Sequence, residues 1–319
     1  MAGTYQRFFV AFLQFVRTLL TGAATPAPDL SFGLIEARGI RPLLEKQRWA
    51  ELEQLAAGLA PGDLTRLLDG LCLSHAYAPL LAQYQQSGRS ELRRLVAGVH
   101  ATFLAWEARG GGGGAGLSQQ QVDEFLSHLG QAQAQPSAPF AAPGLQAEAA
   151  ARLVRVAMGL SEVEQVEDAF AQCTALQPSH LQGHLFFFNA LTPKWLGSEE
   201  VLTEFVDAAP DPALHALLQA MYLAEMLYEV DDKPAADKKK FYDTNASRIE
   251  AALARQPLAD DSLYAVYFNN YHACLNHVLG RPAGRHQFLQ VLGSRITANP
   301  WAYFGFAPAA VRKMSAATK

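Results

Sequence analysis

His180 and His184 stand four residues apart, a spacing that turns two imidazoles to one face of a helix where they could hold a metal ion. A third ligand of the Glu-x-x-His type is missing, and Leu181, Leu185 and Phe186 surround the pair. The expectation is therefore histidines of a core or groove, with no metal. His272 and His277 are five apart and share no face well. Cys274 is two residues from His272, a spacing at which helical side chains point apart. The chain has neither a Gly-x-Ser-x-Gly elbow nor a recognised Cys–His nucleophile pattern. Five glycines run from 110 to 114, but no Lys-Ser/Thr pair follows at P-loop spacing, so they read as a hinge and not as a phosphate cradle. Glu225, Glu229, Asp231 and Asp232 are of a type that does acid–base work or binds a cation. They end one helical segment and begin another, with Lys233, Lys238, Lys239 and Lys240 beyond, and read as a solvated charged elbow.

Aromatic residues suggest contact and not turnover. Tyr264, Tyr267, Phe268 and Tyr271 fall on one helical face, interleaved with Asn269 and Asn270. Tyr and Asn together suit a surface that is wet and adhesive; the alternative is a core face whose hydroxyls are satisfied at its edge. Trp301, Tyr303, Phe304 and Phe306 are four aromatics in six residues after Pro300. They either cap the last hairpin or meet a partner.

The elements that must position these residues are helices. The chain has 319 residues, of which 50% are hydrophobic and 55 are alanine. Nearly every periodic segment repeats at helical spacing, and no alternating β-branched run occurs. Helices are predicted at about 41–59, 64–72, 74–86, 91–109, 119–134, 144–159, 162–176, 179–191, 198–208, 212–230, 234–255, 261–280 and 284–297. Ser90 and the Ser118/Gln121 capping box mark two of the starts, and Asp63 is a candidate cap for a third. The net charge of −4 argues against a general nucleic-acid binder, and three cysteines (Cys72, Cys173, Cys274) are too few and too far apart for a disulfide framework. No cofactor motif stands out. The expected organisation is N-terminal helical hairpins over 1–109, a Gly/Pro-rich connector with one helix over 110–143, and C-terminal repeats over 144–319.

The N-terminus carries Phe8, Phe12, Phe15, Val16 and Leu19 at helical spacing on a predicted helix of about 4–21. Gln14 and Arg17 interrupt the apolar run, which is too short for a membrane span. A docking helix of a cytoplasmic protein is the reading, with a signal or membrane-surface anchor over 1–22 as the alternative.

Ala169, Ala175 and Pro178 in the stretch 163–191 follow the layout of a tetratricopeptide unit, with small residues at the helix crossing and Pro between helices. Residues 43–59 resemble the first helix of another unit, and residues 241–278 resemble a third, at irregular spacing. The segment Leu191, Thr192, Pro193, Lys194, Trp195, Leu196, Gly197, Ser198 is followed by Phe205 and an Ala-rich helix. With Trp106, Glu107, Ala108, Arg109, Gly110 and the helix at 43–55, it resembles a family of uncharacterised TPR-like bacterial proteins marked by a Pro-Lys-Trp-x-Gly-Ser segment. The resemblance covers about residues 40–280 and implies an all-α, irregular TPR-like stack of antiparallel hairpins, an α-solenoid. It supplies no catalytic residue. Within the segment, Pro193 ends a helix, Trp195 is a wedge between hairpins, Gly197 permits a turn and Ser198 caps the next helix.

The expected function is non-enzymatic binding of another protein or peptide in a bacterial cell, for example by a toxin-neutralising immunity protein or a secretion-system adaptor. Lys194, Trp195, Tyr264, Tyr267, Phe268, Tyr271, Trp301 and Tyr303 are the candidate contact residues. The rivals are an enzyme built on His180, His184, Glu225 and Glu229, and a membrane-surface scaffold held by the first helix.

Overall fold

Amphipathic segments joined by loops too short to bridge anything but neighbouring helices must fold back on one another. The computed structural model describes residues 29–110, 116–135, 140–209 and 211–316, and has this character throughout. Among the described residues there is no strand. The helices are α1 (Leu34–Ala37), α2 (Ile40–Glu45), α3 (Trp49–Ala57), α4 (Pro61–Cys72), α5 (Ala78–Gln86), α6 (Glu91–Arg109), α7 (Gln119–Ala134), α8 (Pro143–Leu160) and α9 (Val163–Leu176). They continue as α10 (Leu181–Ala190), α11 (Glu199–Asp207), α12 (Pro212–Val230), α13 (Ala235–Thr244), α14 (Ala246–Leu253), α15 (Leu263–Val278), α16 (Pro282–Leu292) and α17 (Pro308–Ala316). The predicted helix of 4–21 lies outside the described residues. No described helix is long and apolar enough to cross a membrane.

Among the described residues two compact units form, 29–205 and 206–316, with the division falling inside α11. The helix expected in a connector, α7, packs along α6 and against α8 within the first unit. Its capping box is present: the Ser118 hydroxyl accepts from the Gln121 N–H, and the Gln121 side chain accepts from the Ser118 N–H. Ser90 likewise caps α6 through the Arg93 N–H.

Three boundaries differ from expectation. The segment 41–59 is two helices, because the chain turns at Gln47 with φ 55°. The segment 234–255 breaks at Asn245, whose buried Nδ2 donates to the Phe241 carbonyl and takes up a helix-end acceptor. Asp63 lies inside α4, where Pro61 takes the first turn, and it pairs with Arg66 instead of capping.

In the first unit the apolar core gathers Ile40, Leu44, Leu52, Leu67, Leu68, Leu81, Tyr84 and Val96 from α2 to α6. Trp106, Phe125 and Trp195 form an edge-to-face chain of rings with centroids 5.2 and 5.3 Å apart. The Arg155 guanidinium lies 3.5 Å over Trp106 and Arg109 stacks on Trp195 at 5.0 Å. Trp195 thus joins the turn after α10 to the end of α6. Gly197 does not have positive φ; a Cβ there would lie 2.1 Å from the Leu191 carbonyl oxygen, so it is the close approach of two backbones that requires glycine. Gly197→Ala is expected to cost about 1–3 kcal/mol by forcing backbone apart, measurable by urea unfolding.

Candidate functional site

Three constellations carry the polar chemistry. The first is a buried ionic cluster in the first unit. Glu148 on α8 is fully enclosed, with Arg152 one turn on and Asp69 on α4. The Arg152 guanidinium reaches Glu148 at 2.7 Å and Asp69 at 2.7 Å, while the Thr65 hydroxyl donates to Glu148 at 2.6 Å. Burial would raise the Glu148 pKa, but Arg152, His180 and Thr65 outweigh it and hold the carboxyl down at about 2. Burial raises Asp69 despite Arg152.

His180 is the N-cap residue of α10, its Nδ1 accepting from the Gly183 N–H at 3.2 Å, and its Nε2 faces Glu148 at 3.2 Å. Burial disfavours its charged form, while Cys173 and Glu148 favour it. A second ring proton would set Nδ1–H against the Gly183 N–H, so the geometry holds the ring with its proton on Nε2, toward Glu148. His184 turns elsewhere: its Nδ1 donates to the His180 carbonyl at 3.0 Å, and its ring meets Phe170 edge-on at 5.0 Å. The two histidines do not converge, and among the described residues no group of three His, Cys, Asp or Glu side chains is arranged to hold a metal.

Cys173 and His180 both lie against Gly183, with Glu148 beyond the imidazole, a neighbourhood that sequence spacing could not reveal. The thiol is wholly buried, packed among Ala150 and Ala151. A Cβ at Gly183 would come within 2.8 Å of its sulfur. These buried side chains pack α8, α9 and α10 together. Cys72 and Cys274 are also buried thiols, their pKa values pushed up by burial.

The second constellation is the polar-aromatic helix α15 in the second unit. Phe268, Tyr271 and Trp301 are buried; Tyr264, Tyr267 and Tyr303 are half-buried. The Tyr264 hydroxyl donates to the Ala213 carbonyl at 2.6 Å. Asn270 serves four groups: its Nδ2 donates to the Val266 and Arg295 carbonyls, and its Oδ1 accepts from the Thr297 N–H and from Trp301 Nε1 at 3.1 Å. Asn269 grips an extended stretch of chain from both sides, accepting from the Leu258 N–H at 3.0 Å and donating to its carbonyl at 2.8 Å. Glu225, read as part of a solvated elbow, is buried, whereas Glu229 is exposed. Of the remaining candidates, Trp195 is half-buried and Lys194 exposed. Glu225 and Glu229 belong to a different unit from His180 and His184.

His272 is buried between Phe268 and Phe288, with ring centroids 4.1 and 5.5 Å away, and its Nδ1 donates to the Ala252 carbonyl at 3.0 Å. Burial lowers its pKa to about 4. The unfolded chain therefore binds a proton that the folded chain refuses between pH 6.5 and 4, so stability is complete above pH 6.5 and is lost as pH falls through that window. The expected loss is about 3 kcal/mol at pH 4. His272→Asn, whose amide can replace the Nδ1 donor, should flatten most of that slope in urea titrations at successive pH values. Burial and Arg285 lower the pKa of His277 in the same direction.

The third constellation is open to solvent. α8 packs against both α7 and α9, and above it lies a groove of about 410 Å³. Leu153, Val156, Ala157 and Ala169 make an apolar floor, and Gln133, Gln165, Asp168 and Gln172 make the walls. Gln133 Nε2 donates to Gln165 Oε1 at 2.9 Å and to Glu162 at 3.1 Å, which fixes one end. These wall residues were not singled out from sequence. The available signal was the polar face of α9, rich in Gln, Glu and Asp and lacking any lysine or arginine. Comparison with family models, with curated proteins and with solved structures returns no match for the chain.

Proposed function

We propose that the chain is a non-enzymatic protein-binding module, a TPR-like stack of antiparallel hairpins that receives a partner segment in the groove over α8. The observation that carries this reading is the groove itself. It pairs an apolar floor with amide walls, and amides offer both a donor and an acceptor to extended backbone. The chain already uses that chemistry on itself, where Asn269 holds both polar groups of Leu258. The hairpins α6–α7 and α8–α9 supply the stack, the second joined by only Ser161 and Glu162. Each buried imidazole and thiol of the first unit is occupied by neighbouring helices, which favours binding over turnover. Immunity proteins and secretion adaptors are instances of such a role.

Selection of a random peptide library on the immobilised full chain tests it. Enriched peptides should lose binding to a variant with the groove filled by Gln165→Trp. Enrichment that is indifferent to this substitution, or no enrichment at all, would overturn the reading.

A further inference from the structure

The groove is charged as well as amide-lined. Asp168 is one of its walls, Glu164 stands one turn away on α9, and Glu162 is tied to Gln133 at its end. Between Arg109 and Lys194 the sequence has two strongly basic residues, Arg152 and Arg155. Both are turned to other work. Arg152 is buried with Glu148 and Asp69, and Arg155 lies over Trp106. No lysine or arginine lines the groove to balance the carboxylates of α9.

Resting on the binding reading above, we propose that the occupant is an extended segment of a partner protein carrying lysine or arginine on both sides of an apolar residue. In an extended chain successive side chains point to opposite faces. One apolar side chain can therefore settle on Leu153, Val156, Ala157 and Ala169, while its basic neighbours point away from that floor and their long, flexible stems curl back to Asp168 at the rim and to exposed Glu164 one turn along. The backbone between them meets Gln165 and Gln172. Charge complementarity of this kind sets partner choice and association rate, and it is screened by salt.

The test is fluorescence anisotropy of the full chain with three labelled peptides of equal length. One alternates lysine with leucine, one serine with leucine and one glutamate with leucine. The lysine peptide should bind at least about tenfold more tightly than the serine peptide, and the glutamate peptide should not bind. Asp168→Lys, at an exposed position that does not threaten folding, should weaken the lysine peptide by about tenfold, as should added salt. Equal binding of the serine or glutamate peptide, blocked by Gln165→Trp, would overturn the charge assignment while leaving the groove as a binding site. No binding of any of the three would overturn the proposed occupant. Self-association in light scattering that is abolished by Asp168→Lys would assign the groove to a second copy and overturn it equally.

Discussion

Replacing Arg152 with methionine is expected to destabilise the first unit by about 3–5 kcal/mol, because it leaves two carboxylates buried without their shared cation. Glu148 is fully enclosed and Asp69 is 7% exposed, so neither can turn to water. The cost is one of abandonment and not the net worth of the cluster. Adding Glu148→Gln and Asp69→Asn to Arg152→Met should recover a large part of the loss, since no unpaired charge then remains. Urea unfolding of the single and triple variants measures both quantities; a single variant as stable as the parent would show that these groups are not desolvated. The cluster also dictates a pH response. The Glu148 carboxyl, held at about 2, contributes stability above its ordinary value near 4.5, and that contribution is lost as pH falls from there toward 2.

Trp301→Ala is expected to cost the second unit about 3–5 kcal/mol. The ring is wholly buried, with Phe306 edge-on at 6.4 Å and His277 at 6.1 Å. Its Nε1 donates to Asn270, the same amide that holds Thr297 and Arg295. Removing the indole therefore opens a cavity and leaves a buried acceptor with one partner fewer. Trp301→Phe keeps most of the volume and loses the donor, and should cost about 1–3 kcal/mol. Thermal unfolding followed by far-ultraviolet dichroism checks the ordering of the two variants.

These two sites mark how far the sequence could be read. Helix positions were legible where a local device sets them, as with Ser90 on α6 and the Ser118/Gln121 box on α7. The tail aromatics were legible as residues that water would not hold, and Trp301 is enclosed. The Pro193 to Ser198 segment was legible as a turn, with Ser198 capping through the Val201 N–H. What escaped depends on partners far along the chain. Gln47 and Asn245 sit in helical surroundings, and only the folded geometry shows the breaks there. Glu148 and Arg152 look like an ordinary surface pair at helical spacing. Their burial could have been suspected from Ala147, Ala149, Ala150, Ala151 and Val154, which leave α8 no polar face for them to share. The groove walls escaped for the opposite reason. Gln133 and Asp168 are unremarkable exposed-type residues, and they acquire meaning when α7, α8 and α9 bring them to the rim of one depression.

The most direct measurement is hydrogen–deuterium exchange of the full chain with and without the lysine–leucine peptide at saturating concentration. Bound peptide should slow exchange in α7, α8 and α9, the helices that floor and wall the groove, and leave α12 to α17 unchanged. Protection confined to the second unit, or an exchange profile indifferent to the peptide, would contradict the account.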